Sequence, residues 1–354
     1  MNSILERFAL SGAPVVCEPY GNGHINETYR VICGNGDCYI LQKINTRVFR
    51  DPVRLMCNIR LVTDHLKSRA NSSREVLTLV PATDGASYVE RSGEYWRAYE
   101  FVRDSICFER ADTPEIFRES AATFGGFTNL LADFDASQLT ETIPHFHDTP
   151  ARFAAFTSAV ATDAANRLSG VMAEVETAMQ YEPFTHTLVD LQSAGALPLR
   201  VTHNDTKINN VLFDLKTRRG LCVVDLDTVM PGLIANDFGD SIRFGASTAS
   251  EDEPDLDRVW LDLDLYEAYL SSYLATCGGS LTDLEKEMLP VGAKMMTYEC
   301  GIRFLADYLA GDVYFHTRYP EHNLHRAHTQ FKLVADMDAK WSSMQAILKG
   351  YMRK

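Results

Sequence analysis

The stretch LRVTHNDTKINNVLFD, residues 199–214, decides how this sequence folds and what it can do. It holds His203, Asp205 two positions later, and Asn210 five positions after that, all between apolar runs. A second apolar run at 221–224 leads directly to Asp225 and Asp227. Buried carboxylates are costly unless they are paired or bound to a metal ion. This clustering therefore indicates a chemical site rather than a polar turn between two strands.

The same side chains meet the needs of phosphoryl transfer. That reaction requires a carboxylate for the proton of the attacking hydroxyl, and oxygen ligands that hold Mg²⁺ against the β- and γ-phosphates. Asp205 suits the catalytic role, and Asn210 and Asp225 suit the metal. The pattern H-x-D-x-x-x-x-N, followed by an aspartate at a strand end, is typical of a kinase catalytic loop. The sequence thus predicts ATP and Mg²⁺ as cofactors.

A competing metal ligand lies further along the chain, in Asp237-Phe238-Gly239. This triplet spells the metal-binding motif of protein kinases, but it begins 27 residues after Asn210. It also opens a predicted helix instead of following a buried strand. We therefore expect Asp225 to bind the metal, and Asp237 to cap a helix or brace the catalytic loop.

Upstream, residues 15–102 read mostly as strands. Two apolar runs, 29–32 and 38–41, flank a Gly-Asn-Gly-Asp turn and predict a hairpin. A helix is predicted over 52–68, because Asp51 can cap it and Pro52 suits its first turn. Further strands near 76–80 and 95–102 complete a mainly antiparallel sheet with one helix.

A glycine-bearing turn, YGNGHINETY at residues 20–29, precedes the hairpin. Small residues let backbone N–H groups approach phosphates closely, although hairpin turns use the same residues. We predict that this turn binds the nucleotide. The predicted contacts are the backbone of Gly21, Asn22 and Gly23 and the side chains of Asn26 and Thr28.

The rest of the chain reads as helix, starting at Thr113-Pro114 and continuing through patterns at 150–192, 258–276, 283–310 and 322–349. This order predicts an α+β fold, with a β-rich nucleotide-binding lobe at 1–102 and a larger helical lobe at 103–354. Kinases with this order usually carry a lysine on the third strand, but Gln42 stands there. Strand alternation sends Lys43 to the opposite face, so we leave it out of the site.

Composition limits the classes of partner. Thirty-four basic against 48 acidic residues give a formal net charge of −14. A surface of that sign repels nucleic acid and anionic membranes. No apolar run is long enough to span a bilayer, and the first residues do not read as a signal peptide. We therefore expect a cytoplasmic protein whose eight scattered cysteines are buried thiols.

The chain resembles the aminoglycoside phosphotransferase and choline kinase group, which shares the protein-kinase-like two-lobed fold. Within it, the likeness is strongest to bacterial N-acetylhexosamine 1-kinases. The matching stretches cover about residues 18–330 in order: EPYGNGHINETY, YILQKIN, LTETIPHFHDTP, PLRVTHNDTKINNVL, DLDTVMPG, FGDSIRFGAST, CGIRFLADYLAGDVYF and YPEHNL.

The resemblance implies ATP-dependent phosphorylation of the anomeric hydroxyl of N-acetylglucosamine or N-acetylgalactosamine. It also implies that Asp205 is the base and that Asn210 and Asp225 hold magnesium. The implied sugar contacts are His24, Asp240, Arg303 and Tyr314, and the implied adenine contact is the backbone from Glu100 to Val102. Residue chemistry leaves other roles open: Asp240 and Arg303 could form an ion pair, even with one another, and Tyr314 could be a core residue.

Other functions remain open at this stage. The acceptor could be another alcohol, such as an aminoglycoside, choline or an amino alcohol, with the acidic stretch 251–257 as a cation pocket. That stretch is otherwise most simply a solvated loop. A nucleotide-free binding module and a carboxylate-dependent glycosidase are weaker alternatives, because neither uses Asn210 together with both aspartates. His322, His325 and His328 repeat at helical spacing, and we interpret them as one face of a helix rather than a metal site.

Overall fold

An antiparallel sheet forms the N-terminal part of the chain, as the alternating apolar residues predict. The computed structural model describes residues 2–21 and 25–352. In this sheet the strands lie in the order β1-β2-β3-β6-β4, and β5 pairs with β6. Their bounds are β1 (Pro14–Pro19), β2 (Glu27–Cys33), β3 (Cys38–Lys43), β4 (Leu79–Val80), β5 (Val89–Arg91) and β6 (Glu94–Glu100).

The predicted hairpin and helix of this region are confirmed. β2 and β3 pair with Val31 opposite Tyr39, and Gly36 in the turn has φ +89°, which L side chains rarely adopt. A short helix, α1 (Asn2–Leu5), precedes the sheet, and α2 (Pro52–Lys67) follows β3. The Asp51 carboxylate accepts the N–H of Arg54 at 3.0 Å, so it caps α2 as predicted.

The chain forms two compact units, each built from separated stretches. The first contains residues 1–107, 130–144 and 210–231. Besides the sheet above, it holds a three-stranded antiparallel sheet in the order β10-β9-β7. These strands are β7 (Ser105–Cys107), β9 (Val211–Asp214) and β10 (Gly220–Val223). The lobes predicted at 1–102 and 103–354 stay a prediction.

The second unit, residues 108–129, 145–209 and 232–354, is mainly helical. Helix α11 packs against α4, α8 and α12 at its centre. The helices are α3 (Pro114–Leu130), α4 (Thr149–Thr162), α5 (Met172–Gln180), α6 (Glu182–Thr185), α7 (Thr187–Ser193), α8 (Ile234–Gly245), α9 (Leu263–Cys277), α10 (Asp283–Glu287), α11 (Leu289–Ala310), α12 (His322–Ala339) and α13 (Trp341–Met352). Two short strands complete the list: β8 (Arg200–Thr202) precedes the catalytic stretch, and β11 (Met230–Gly232) follows the turn that contains Asp225.

Two glycines allow α8 and α11 to approach closely. A Cβ on Gly292 would meet the carbonyl oxygen of Ala235 at 1.9 Å, and one on Gly239 would meet that of Gly292 at 2.2 Å. The two helices can therefore cross this closely only because both residues are glycine and carry no Cβ. It brings the residues of α8 that precede and follow Gly239 against the middle of the second unit.

Some details differ from the sequence-based expectation. The helix pattern at 150–192 is broken, because Asp163 adopts φ +40° and ends α4. All eight cysteines are free, but Cys57 and Cys107 are exposed, so the expectation that all are buried is wrong. Among the residues that the structure describes, no helix is both long enough and apolar enough to cross a membrane.

Candidate active site

The catalytic stretch leaves β8 as a tightly folded loop in the second unit. His203 is fully buried, and its ring contacts the edges of Phe124 and Phe127. Its Nδ1 accepts the backbone N–H of Asp205 at 3.3 Å. Asn204 adopts φ +63°, a left-handed conformation that asparagine tolerates better than most residues. This turn sets the direction of the backbone at Asp205.

Asp237, on the first turn of α8, braces that loop as predicted. Its carboxylate accepts the backbone N–H of His203 at 2.8 Å and that of Asn204 at 2.7 Å. The hydroxyl of Thr206 donates to its carbonyl oxygen. Burial raises the pKa of Asp237 to about 6, although His203 and the two N–H donors favour its charged form. The Asp-Phe-Gly triplet therefore has a structural role here.

Lys207 is a site residue that the sequence interpretation missed. Its Nζ lies 3.0 Å from the carboxylate of Asp205. The pKa of Lys207 is raised, first by Asp205 and then, against the effect of burial, by Asp240 and Glu251. A lysine two positions after the candidate base was the available signal. Lys207 connects Asp205 electrostatically to the side chains on α8 and in the acidic stretch.

Only one of the two carboxylate oxygens of Asp240, on α8, has hydrogen-bond partners. Its Oδ1 accepts from Nε and Nη2 of Arg243 at 3.0 and 2.9 Å. Its Oδ2 is buried and has no hydrogen-bond partner among residues 2–21 and 25–352. Unpaired buried carboxylate oxygens are rare because each costs free energy of desolvation. The open oxygen is therefore suited to accept a hydrogen bond from a ligand.

The expectation of a solvated loop is correct only for part of the acidic stretch: Asp255 and Asp257 are exposed, whereas Glu251 and Asp252 are partly buried and paired. Glu251 accepts from Nη1 of Arg243 at 2.6 Å, and Asp252 bonds Arg318 and the buried His322. The loop is held because Arg243 on α8, Arg318 before α12 and Arg326 on α12 lie against its carboxylates. The three spaced histidines all lie on α12, where His322 and His325 contact Tyr319 and His328 bonds Glu174.

Arg303, on α11, is held by aromatic rings rather than by a carboxylate. Its guanidinium lies 5.5 Å from the ring centre of Phe146 and 5.6 Å from that of Phe315. In the described part of the chain, no carboxylate lies within salt-bridge distance of it, so it does not pair with Asp240. Burial raises the pKa of the Cys300 thiol to about 11, and Arg303 and Asp240 both act on that thiol. The two residues therefore share one neighbourhood.

Tyr314 is exposed, with 61% of its surface accessible, so it is not a core residue. The loop that carries it is held by Asp307. This carboxylate accepts the N–H groups of Val313 at 3.0 Å, Tyr314 at 2.8 Å and Phe315 at 3.0 Å. The loop conformation, and with it the position of Tyr314, depends on one buried side chain of α11.

The candidate metal ligands lie in the first unit, at the ends of neighbouring strands. The N–H of Val224 donates to the carbonyl of Asn210 at 2.9 Å, which places Asn210 beside the strand that leads to Asp225. Asp225 itself has φ +59°. No group of three or more His, Cys, Asp or Glu able to hold a metal occurs in residues 2–21 and 25–352. Mg²⁺ commonly uses only one or two protein carboxylates plus phosphates and water, so this oxygen-donor pair fits it.

A chain of polar side chains connects β2, β3 and β6 at the position where the third strand lacks a lysine, and it ends in a buried ion pair. Gln42 donates to the hydroxyl of Thr28 at 3.0 Å and accepts Nε of Arg97 at 2.9 Å. Arg97, on β6, forms a buried bidentate pair with Asp227, which also accepts from Asn26. Sequence reasoning missed Arg97, since nothing in the pattern marks a strand arginine as buried. Lys43 pairs instead with Glu94 at 2.7 Å, on the other face as predicted.

The remaining predicted nucleotide contacts can be placed only in part. Gly21 has φ +79°, while Asn22, Gly23 and His24 lie outside the described residues. In the predicted adenine segment, the N–H of Glu100 donates to Thr78 at 2.9 Å. The carbonyl of Val102 accepts from the Ser105 hydroxyl at 2.7 Å. These roles stay predictions.

Solved structures share this fold. A microcompartment-associated aminopropanol kinase matches with a TM-score of 0.65 at 17% identity, over 98% of each chain. An aminoglycoside phosphotransferase from Alicyclobacillus acidocaldarius matches with 0.61 at 12% identity, over 100% of this chain and 95% of that one. An amicoumacin kinase in complex with AMP-PNP, Ca²⁺ and Ami matches with a TM-score of 0.56 at 13% identity, over 89% of this chain and 87% of that one. At these identities the likeness concerns the fold, and it confirms the predicted protein-kinase-like α+β architecture.

The family is shown by the sequence itself. The model of the phosphotransferase enzyme family named APH matches residues 16–270, which is most of the chain and includes the catalytic stretch, Asn210, Asp225 and Asp240. This protein therefore belongs to the APH phosphotransferase enzyme family.

Proposed function

We propose that this protein is an ATP- and Mg²⁺-dependent kinase that phosphorylates the C1 hydroxyl of N-acetylhexosamines. The observation that carries the proposal is the buried, unpartnered Oδ2 of Asp240. It shares the electrostatic environment of Lys207 and hence of Asp205. A hydroxyl-rich acceptor can donate to that oxygen and accept from the guanidinium of Arg303.

In the proposed reaction, Asp205 takes the proton of the C1 hydroxyl while the hydroxyl oxygen attacks the γ-phosphorus. The bond between that phosphorus and the β–γ bridging oxygen breaks, and ADP leaves with the electron pair. Lys207, whose Nζ lies 3.0 Å from the carboxylate of Asp205, would hold that side chain in place. Asn210 and Asp225 would hold Mg²⁺, which neutralises phosphate charge when bound. The turn at Gly21, with Asn26 and Thr28, would contact the phosphates.

The charges of the second unit favour a neutral acceptor. Asp240 and Glu251 both contact Arg243, and Lys207 lies against Asp205. Arg303 adds a positive charge that no carboxylate in the described part of the chain pairs. A cationic amine could also donate to the open oxygen of Asp240, but it would be repelled by Arg243, Lys207 and Arg303, whereas an acetamido sugar carries no charge.

An amino-alcohol kinase is the second candidate function. It is supported by the acceptors named for the structural neighbours, an aminopropanol and an aminoglycoside among them. For such an acceptor, the open oxygen of Asp240 would have to bind an ammonium group although its other oxygen already pairs with Arg243. The two candidates therefore differ in the charge that the acceptor brings.

The experiment is an ADP-release assay with N-acetylglucosamine, N-acetylgalactosamine, 1-amino-2-propanol, choline and kanamycin. We expect ADP release with the two acetamido sugars only, and a phosphorus–proton NMR correlation from the product phosphate to the proton on C1. Turnover with an amine and none with the sugars would replace the sugar proposal by the amino-alcohol one. No ATP-dependent turnover with any acceptor would count against both.

A variant pair tests the acceptor contact. Asp240→Asn removes the acceptor charge, and we expect KM for the sugar to rise about tenfold or more with KM for ATP within about twofold, the size of one lost charged hydrogen bond. Asp283→Asn, at a side chain that is 84% exposed, is the matched control and should leave both constants unchanged. An unchanged sugar KM in Asp240→Asn would remove Asp240 from the acceptor site.

A further inference from the structure

The ring of His147 lies between two groups that can only accept hydrogen bonds. Its Nδ1 is 2.9 Å from Oε1 of Glu299, and its Nε2 is 3.1 Å from the carbonyl oxygen of Asn204. A neutral imidazole carries one N–H and presents a lone pair at the other nitrogen. Only the imidazolium can donate to both partners, so this geometry selects the doubly protonated ring.

The surroundings of His147 suit a cation. The side chain of His147 is 8% exposed and that of Glu299, on α11, is fully buried. The hydroxyl of Thr149 donates to the other oxygen of Glu299 at 2.7 Å. Burial raises the pKa of Glu299, but His147 and Arg303 lower it by more, so the net shift is downward. A buried carboxylate stabilised in this way requires a positive partner.

Other charged groups reach this pair from each packed element. Arg152 lies on α4 and acts electrostatically on Glu299. Arg303 does the same from α11. On α8, Asp237 is stabilised in its charged form by His147 as well as by His203. Two carboxylates thus favour the imidazolium, while the guanidinium groups of Arg152 and Arg303 compete with it for the charge of Glu299.

We propose that His147 is a positioning residue for the phosphoryl transfer, which as an imidazolium holds the carbonyl of Asn204. Asp237 accepts the two N–H groups of the same turn, so both the N–H and the carbonyl of Asn204 are hydrogen-bonded. Without either bond, the turn that positions Asp205 would be free to move. This inference deepens the proposed function, since it presumes that Asp205 is the base.

His322 provides an internal contrast in the same unit. Its Nδ1 accepts the N–H of Arg318 at 3.1 Å, and its Nε2 faces Asp252 at 3.1 Å. One nitrogen accepts and the other donates, which is the pattern of a neutral ring. Burial lowers the pKa of His322. The two histidines should therefore differ in protonation at the same pH.

The first test measures protonation without activity. Long-range proton–nitrogen NMR spectra of the full chain, labelled with ¹⁵N-histidine, distinguish imidazolium from neutral rings. At pH 8, where an exposed histidine with a pKa near 6.5 is neutral, we expect one persistent imidazolium that disappears in His147→Gln, and a neutral His322. If no imidazolium survives at pH 8, the proposal is wrong, whatever the enzyme phosphorylates.

The second test measures catalysis in His147→Gln and Glu299→Gln, with His328→Gln as the control. His328 also bonds a glutamate, at 2.7 Å, but on α12 away from the loop. We expect the two site variants to lose about 10- to 100-fold in kcat, with both KM values within about twofold, because a displaced base costs rate rather than affinity. We also expect kcat of the wild type to fall at alkaline pH, as the His147 ring loses a proton, and we expect this fall to be absent from His147→Gln.

These outcomes separate the inference from the proposed function. Wild-type kcat in His147→Gln from pH 6 to 9 overturns the positioning role even if the sugar is the substrate. If neither variant folds, judged by circular dichroism, the wild-type NMR spectrum still decides the protonation state. Failure of the sugar assay with an imidazolium present would reject the acceptor and leave the loop contact standing.

Discussion

The carboxylate of Asp237 accepts the backbone N–H of Asn204 at 2.7 Å, although 33 residues separate the two along the chain. This bond and its neighbour to His203 tie α8 to the turn before Asp205. In protein kinases the same triplet binds metal, whereas here its aspartate satisfies backbone donors. The geometry of the candidate base is therefore set by a helix that comes later in the chain.

The first prediction concerns the pH dependence that Asp237 imposes. Burial raises its pKa to about 6, so it loses its charge as the pH falls through 6. The protonated carboxyl accepts the two N–H groups less well, and we expect kcat to fall below pH 6 at saturating ATP. Asp237→Asn should show a lower kcat at pH 7.5 and no such fall near pH 6. An unaltered acid limb in this variant would assign the limb to another group.

The raised pKa of Asp237 also makes the stability of the protein depend on pH, but stability changes in the opposite direction to activity. A carboxyl whose pKa is raised by folding binds its proton more tightly in the folded state. Its stabilising contribution is complete below the ordinary value of 3.8 and is lost as pH rises through about 6. We expect the free energy of unfolding of the wild type, relative to Asp237→Asn, to decrease from pH 5 to pH 7 in urea titrations. A constant difference would contradict the shift.

The second prediction is that Asp205→Asn loses about 10²- to 10⁴-fold in kcat, the usual worth of a general base. ATP should still raise the melting temperature in the presence of Mg²⁺, because the substituted group does not bind the nucleotide. Asp190→Asn, at a side chain that is 74% exposed, is the control. Wild-type turnover in Asp205→Asn would exclude this residue from the mechanism.

The third prediction concerns the buried pair of Arg97 and Asp227. Their side chains are 1% and 4% exposed, and removing one partner leaves an uncompensated buried charge. Arg97→Met should lower the free energy of unfolding by about 3–5 kcal/mol. Arg97→Met with Asp227→Asn should lose less than the single arginine variant. Arg54→Met, at an exposed pair, should stay within about 1 kcal/mol, and equal losses in all three would refute the coupling.

The fourth prediction concerns the helix crossing at Gly292. An added Cβ would meet the carbonyl of Ala235 at 1.9 Å, and backbone cannot move aside as a side chain can. Gly292→Ala should therefore lower the free energy of unfolding by about 2–3 kcal/mol, measured in urea. Gly350→Ala is the control, because its Cβ meets nothing within 4 Å and alanine favours a helix. Equal stability of the two variants would mean that the helices separate at no cost.

The sequence by itself determined the local features. The hairpin, the capped helix after Asp51, the sheet-then-helix order and the kinase-type spacing of Asp205, Asn210 and Asp225 all follow from the short-range rules of turns, caps and periodicity. These rules act between residues a few positions apart, so one sequence is enough to read them. The bracing role of Asp237 was also predicted, since its place at a helix start excluded the strand-end position of a metal ligand.

Only the tertiary structure decided which charges meet. Arg97 reaches Asp227 over 130 residues of chain, and His147 reaches Glu299 over 152. Arg243, rather than Arg303, forms the ion pair with Asp240. The acidic stretch near Glu251 is neutralised by helices on either side of it in sequence. Pairing of this kind depends on how helices cross and which groups lose water together, and neither quantity is encoded at short range.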